Sequence, residues 1–148
     1  MPSSTRHPVA ELTIAGIEQH FRQASRWLSE SGAVAGVPES EIQRLDLCLN
    51  EALANITSHG KHEPEPIQIC MDTACEDQVC EASVTISDAG SAFDASSAVE
   101  RTRPSSLAEA EPGGLGLVML RSFSDRLSYR RSAGRNHLCF TVRWSPNN

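Results

Sequence analysis

An α+β sandwich is the architecture expected of this chain, with helices on one face of a mixed, mostly antiparallel sheet. Three observations lead there. Five short segments, residues 9–15, 67–73, 79–87, 126–131 and 137–144, have strand character. Three stretches, 16–31, 41–59 and 115–123, are helical in pattern or in apolar content. The last four strands fall into two hairpins, and the element order is β-α-α-β-β-loop-α-β-β. With 148 residues, the chain fits a single domain over 9–148 behind a flexible tail at 1–8.

Each element has its own local reason. In the first strand Ala10, Leu12 and Ile14 share one side, and Glu11 and Thr13 the other. The period then becomes helical, with Ile17, Phe21, Ala24 and Leu28 on one stripe and His20 and Trp27 beside it. Ser40 and Gln43 form a capping-box pattern for the next helix, and Gly60 supplies its stop. Its apolar stripe is Ile42, Leu45, Leu49, Leu53 and Ile56. Ile67, Ile69 and Met71 alternate on one strand, and Cys80, Ala82, Val84 and Ile86 on the next, with a polar turn expected over 74–78. Residues 95–112 are polar, contain two prolines and are too long for a tight turn, which suggests a lid. Gly113, Gly114 and Gly116 then open the apolar helix, and Leu138, Phe140, Val142 and Trp144 alternate in the closing hairpin.

Composition excludes several classes. No apolar run approaches the roughly 20 residues that span a bilayer, and no secretory leader is recognisable. The net charge of -6 argues against a grip on nucleic acid by phosphate neutralisation. That charge is uneven: residues 1–100 carry 5 basic and 16 acidic side chains, whereas 101–148 carry 8 basic and 3 acidic. The basic part reads as a solvated strand face or as a docking surface for an acidic partner. Five scattered cysteines, Cys48, Cys70, Cys75, Cys80 and Cys139, suggest a reducing, cytoplasmic setting without a disulfide framework. Alternation puts Cys70 and Cys80 on different faces, so they are not expected to pair. Their spacing around Cys75 is wider than structural zinc sites favour.

Three polar features carry the chemistry. Glu51 and Asn55 are four residues apart and share a helix face, expected roughly opposite the apolar stripe. That pair is either an exposed polar face or a carboxylate and an amide aimed at a ligand or metal. His59 continues that side by a further turn and reads more simply as a structural residue. Asp88 ends a strand and Gly90 follows it in "ISDAGSAFD". Such an aspartate is a turn-former, or a pocket carboxylate that accepts the exocyclic amine of adenine and repels the guanine carbonyl. Gly90 would let a ring pack on bare backbone. Gly113-Gly114-Leu115-Gly116 before a helix can offer backbone N–H groups to phosphate. It is not a P-loop, since no GKS or GKT follows, and neither HRD nor DFG of the protein kinases is present.

In this order, ExxxN on a helix, DxGxxFD after a strand and GGxG before a helix resemble the N, G1 and G2 boxes of the GHKL ATPases. "EALANITSHG" with "GGLGLVML" is most similar to the anti-sigma factor serine/threonine kinases of that superfamily, over about Val9 to Trp144. The resemblance implies the GHKL (Bergerat) ATP-binding sandwich. It implies Glu51 as the general base toward a substrate Ser or Thr, and Asn55 as the ligand of Mg²⁺. It implies Asp88 as the adenine reader with Gly90 beneath the ring. Gly113, Gly114, Leu115 and Gly116 become the phosphate cradle, and 95–112 the ATP lid. Within that lid Arg101 and Arg103 read either as γ-phosphate contacts or as solvated arginines. The implied partners are an anti-sigma-factor antagonist as protein substrate, a sigma factor or other regulator, and a second copy in a homodimer.

Two departures stand against the family pattern. Ala92 occupies a position where many G1 boxes have glycine. The closing strand has Asn136-His137-Leu138 where the family often brings a threonine near the base. Two alternatives compete with a kinase: a nucleotide-gated binding module with weak transfer, and a detached histidine-kinase catalytic domain. The second lacks support, because His20 has no HExxxP context.

Overall fold

The computed structural model describes residues 6–15, 20–59, 66–90 and 120–146, with backbone only for 57–59. The expected lid at 95–112, with Arg101 and Arg103, lies outside the described residues. So do Ala92 and the cradle of Gly113, Gly114, Leu115 and Gly116.

The elements follow in the order β1 (His7–Ala15), α1 (Phe21–Val34), α2 (Glu39–His59), β2 (Pro66–Glu76), β3 (Val79–Asp88), β4 (Arg126–Ser132) and β5 (Arg135–Trp144). Residues 120–123 are helical before β4. The strands form one sheet in the order β1-β2-β3-β5-β4. Every described pairing is antiparallel, so the sheet is not mixed among these strands. α2 packs on β3 and β5, and α1 packs on β1 and α2.

The core forms where strand period and helix period meet. Ile67, Ile69 and Met71 on β2 pair with Ile86 and Val84 on β3, which pair with Leu138 and Phe140 on β5. Leu45, Leu49 and Leu53 of α2 and Leu28 of α1 cover that surface, all at 0% exposure. α1 comes close to α2 at Gly32, where an added Cβ would lie 3.1 Å from the Ile42 side chain.

Several boundaries differ from the sequence expectation, each for a physical reason. The tail is shorter, since His7 and Pro8 already belong to β1. Arg6 reaches across the open sheet face to Asp72, Glu81 and Ser83. α2 begins at Glu39, with the Pro38 carbonyl accepting from the Glu41 and Ile42 N–H groups. The Ser40 hydroxyl bonds Glu41 instead of capping the helix.

The β2–β3 turn is only two residues, Asp77 and Gln78, with φ of 51° and 67°. Left-handed φ at both positions is the geometry of a tight hairpin turn, here built without glycine. It carries both strands further than expected and sets Cys75 directly opposite Cys80. These two form a disulfide, against the expectation of a chain without a disulfide framework. Cys70 remains free, as its strand face requires, and does not pair with Cys80, whose sulfur is bonded to Cys75.

Candidate functional site

β3 positions the first of the candidate residues. Ala82, Val84 and Ile86 face the helices, and the next residue of that face is Asp88, at the point where the core ends. Its side chain is 8% exposed. The Gly90 backbone N–H donates to Asp88 Oδ2 at 2.9 Å, closing a tight loop over the carboxylate. A Cβ on residue 90 would lie 2.7 Å from that same oxygen, so glycine is required for the carboxylate to sit there.

β5 and β4 supply partners that the motifs did not reveal. Asn136 pairs with Asp88 in register and is 6% exposed. Its Nδ2 lies 3.4 Å from Asp88 Oδ2 and 3.5 Å from the Gly90 carbonyl. Tyr129 donates its hydroxyl to Asn136 Oδ1 at 2.6 Å. Arg131 donates to the same oxygen at 2.9 Å and to the Gly90 carbonyl at 3.0 Å. Arg135 clamps the same strand end by donating to the hydroxyl and the carbonyl of Ser87. Strand alternation held a signal for Asn136: it shares parity with Leu138 and Phe140, a polar residue on the core face.

α2 carries the other two described candidates, Glu51 and Asn55. Asn55 is 3% exposed and Glu51 is half-buried. This corrects the expectation of a polar face opposite the apolar stripe. The buried arc of α2 is wider than the stripe because the helix packs on the sheet and also on residues 120–123. Cys48 Sγ lies 4.0 Å from the Leu120 carbonyl, and Arg44 donates Nε to the Phe123 carbonyl at 3.1 Å. Ala52 and Asn55, on the same side of the helix as Cys48, are buried as well. Burial pushes the Cys48 thiol up to about 12; Arg44 opposes the shift and the Glu51 charge adds to it. The thiol therefore stays neutral and is no nucleophile.

Asp88 and Gly90 are thus brought together directly, while Glu51 and Asn55 come from the helix that packs on the same strand. His20 has a local role: it is the N-cap residue of α1, and its Nδ1 accepts from the Ala15 N–H at 3.2 Å. Among the described residues no three His, Cys, Asp or Glu side chains gather as a metal site. No described helix is long and apolar enough to cross a membrane.

Residues 15–142 match the family of the histidine kinase-like ATPase domain. The chain is 39% identical over 102 residues to the serine/threonine-protein kinase BtrW of Bordetella bronchiseptica, covering 69% of this chain and 70% of that protein. The fold is similar to the crystal structure of the RsbU and RsbW domains of Rv1364c from Mycobacterium tuberculosis. The TM-score is 0.56 at 18% identity, over 90% of this chain and 32% of that one. The chain therefore spans about a third of that solved structure.

Proposed function

This chain belongs to the histidine kinase-like ATPase family, and from that premise we propose that it is an ATP-dependent serine/threonine protein kinase that also acts as an anti-sigma factor. Its protein substrate would be a small anti-sigma-factor antagonist, and its second partner a sigma factor or related regulator. It would work as a homodimer in the cytoplasm. The observation that carries this reading is Asp88: a buried carboxylate at a strand end, fastened through one oxygen, with a glycine that leaves no side chain beside it. The relation to a serine/threonine kinase at 39% identity supports the choice of reaction.

The residues present fit both groups that such a reaction needs. Asp88 Oδ1 receives no hydrogen bond from the described residues and suits an exocyclic amine as its partner. The Asn55 side chain offers an amide oxygen, a hard donor of the kind Mg²⁺ takes beside phosphates and water. Mg-ATP, when bound, would supply the γ-phosphoryl group, with ADP as the leaving group, and a cation that offsets the charge developing on that leaving group. Glu51, half-buried one turn before Asn55, accepts the proton of the substrate hydroxyl as that oxygen attacks phosphorus. Gly113, Gly114, Leu115 and Gly116 would present backbone N–H groups to the phosphates.

The test is phosphoryl transfer from Mg-ATP to the purified antagonist. General-base help contributes about 10²–10⁴-fold, so Glu51→Ala loses transfer on that scale while ATP affinity stays within a few-fold. Near-normal transfer by this variant removes Glu51 from the mechanism. Absence of transfer by the unaltered protein, with ATP-dependent capture of the antagonist intact, replaces the kinase by a nucleotide-gated binding module.

A further inference from the structure

The amide of Asn136 has one orientation that satisfies its neighbours. Arg131 is only a donor, so the atom it meets at 2.9 Å is the amide oxygen. Tyr129 gives that oxygen a second hydrogen bond at 2.6 Å. The amide nitrogen then faces two acceptors, Asp88 Oδ2 and the Gly90 carbonyl. Turning the amide over would set its NH₂ against a guanidinium and its oxygen against a carboxylate. Arg131 thus decides which end of Asn136 Asp88 sees, and the Tyr129 hydroxyl, able to donate or accept, adds a second bond to that orientation.

We propose that Asn136, oriented by Tyr129 and Arg131, is a positioning residue that fixes the Asp88 carboxylate and so sets selectivity for a base bearing an exocyclic amine. The proposal rests on the reading of Asp88 as the base reader and adds what holds that reader in place. Two hydrogen bonds fall on Oδ2, from Gly90 and from Asn136, and leave Oδ1 without a partner among the described residues. A carboxylate held on one oxygen loses less rotamer freedom when the base arrives. The holder is also neutral. A guanidinium in direct contact with Asp88 would compete with the base amine for the charge. Arg131 instead acts one residue removed, on Asn136 and on the Gly90 carbonyl.

The experiment compares the affinities for ATP and for purine riboside triphosphate, which lacks the 6-amino group. In the unaltered protein ATP should bind about ten- to a hundred-fold more tightly, the increment of a hydrogen bond to a charged acceptor. Asn136→Ala should cut that ratio by about three- to ten-fold, with the amine-free nucleotide bound as before. Tyr129→Phe keeps the ring and removes the hydroxyl, and should cut it by about two-fold. Asn136→Asp places a second carboxylate beside Asp88, which raises the affinity of the pair for a proton. Its ratio should recover as pH falls from about 8 to about 6, unlike that of Asn136→Ala. A role in folding alone would not produce that pH dependence.

A high ratio in the unaltered protein that survives Asn136→Ala and Tyr129→Phe overturns the positioning role and leaves Asp88 as the reader. A ratio near one in the unaltered protein overturns both, because no amine is then read. If Asn136→Ala loses its folded circular dichroism spectrum, the Tyr129→Phe ratio decides.

Discussion

β3 carries two carboxylates whose surroundings differ in kind. Glu81 lies near its start on the open sheet face, and Asp88 at its end on the helix side, roughly 23 Å of strand apart. Three arginines converge on Glu81: Arg6 at 2.6 Å, Arg143 at 3.1 Å and Arg126 at 3.3 Å. Burial alone would raise its pKa, but the hydrogen bonds from Arg6 and Arg143 and the charge of Arg126 hold it at about 2. The described partners of Asp88 are neutral, a backbone N–H and an amide. A carboxylate neutralised by guanidinium groups from three segments ties those segments together. One held by neutral donors has no cation among its described partners to compete with a ligand amine. The difference separates a fastening from the proposed recognition site on a single strand.

Glu81→Gln should break the fastening and spare the site. Its side chain is 17% exposed, but its arginine partners are 39–49% exposed, so solvent screens part of the gain. A loss of about 1–3 kcal/mol is expected in denaturant unfolding, with ATP affinity unchanged. The folded pKa lies below the ordinary value of 4.5, so the stabilisation is complete above pH 4.5. It is lost as pH falls from there toward about 2, and Glu81→Gln should flatten that part of the unfolding profile. A variant as stable as the unaltered protein would show that the arginines hold nothing together.

Reduction of the Cys75–Cys80 disulfide sharpens the contrast with an effect of similar size. The closed loop is short, so the bond should contribute about 2 kcal/mol, seen as a fall of roughly 5 °C in Tm. It lies at the Glu81 end of β3, and ATP affinity should not follow. Loss of ATP binding on mild reduction would mean that the two ends of the strand are coupled.

Periodicity was enough to find the five strands and the two long helices, because burial on one face of a sheet imposes alternation at every position. It placed Asp88 at a strand end and Glu51 with Asn55 on one helix face. It missed the length of the β2–β3 hairpin, since Asp77 and Gln78 adopt left-handed φ without the glycine that usually marks such a turn. The disulfide was missed with it, because Cys75 fell inside the expected turn. The burial of Asn55 was hidden because the pattern of a single helix does not reveal what packs on its other faces. The Asn136 network depends on pairing between β3, β5 and β4, and no local motif encodes a contact across 48 residues.

The central claim, that the Asp88 end of β3 reads adenine, is tested most directly by calorimetric titration of ATP and GTP into Asp88→Asn beside Glu81→Gln. Asp88→Asn keeps the side-chain shape but replaces an acceptor oxygen with a donor. A folded Asp88→Asn protein should lose about ten- to a hundred-fold in ATP affinity, with GTP less affected, while Glu81→Gln keeps the ATP preference of the unaltered protein. An unchanged ATP-to-GTP preference in folded Asp88→Asn would contradict the account and place base recognition elsewhere.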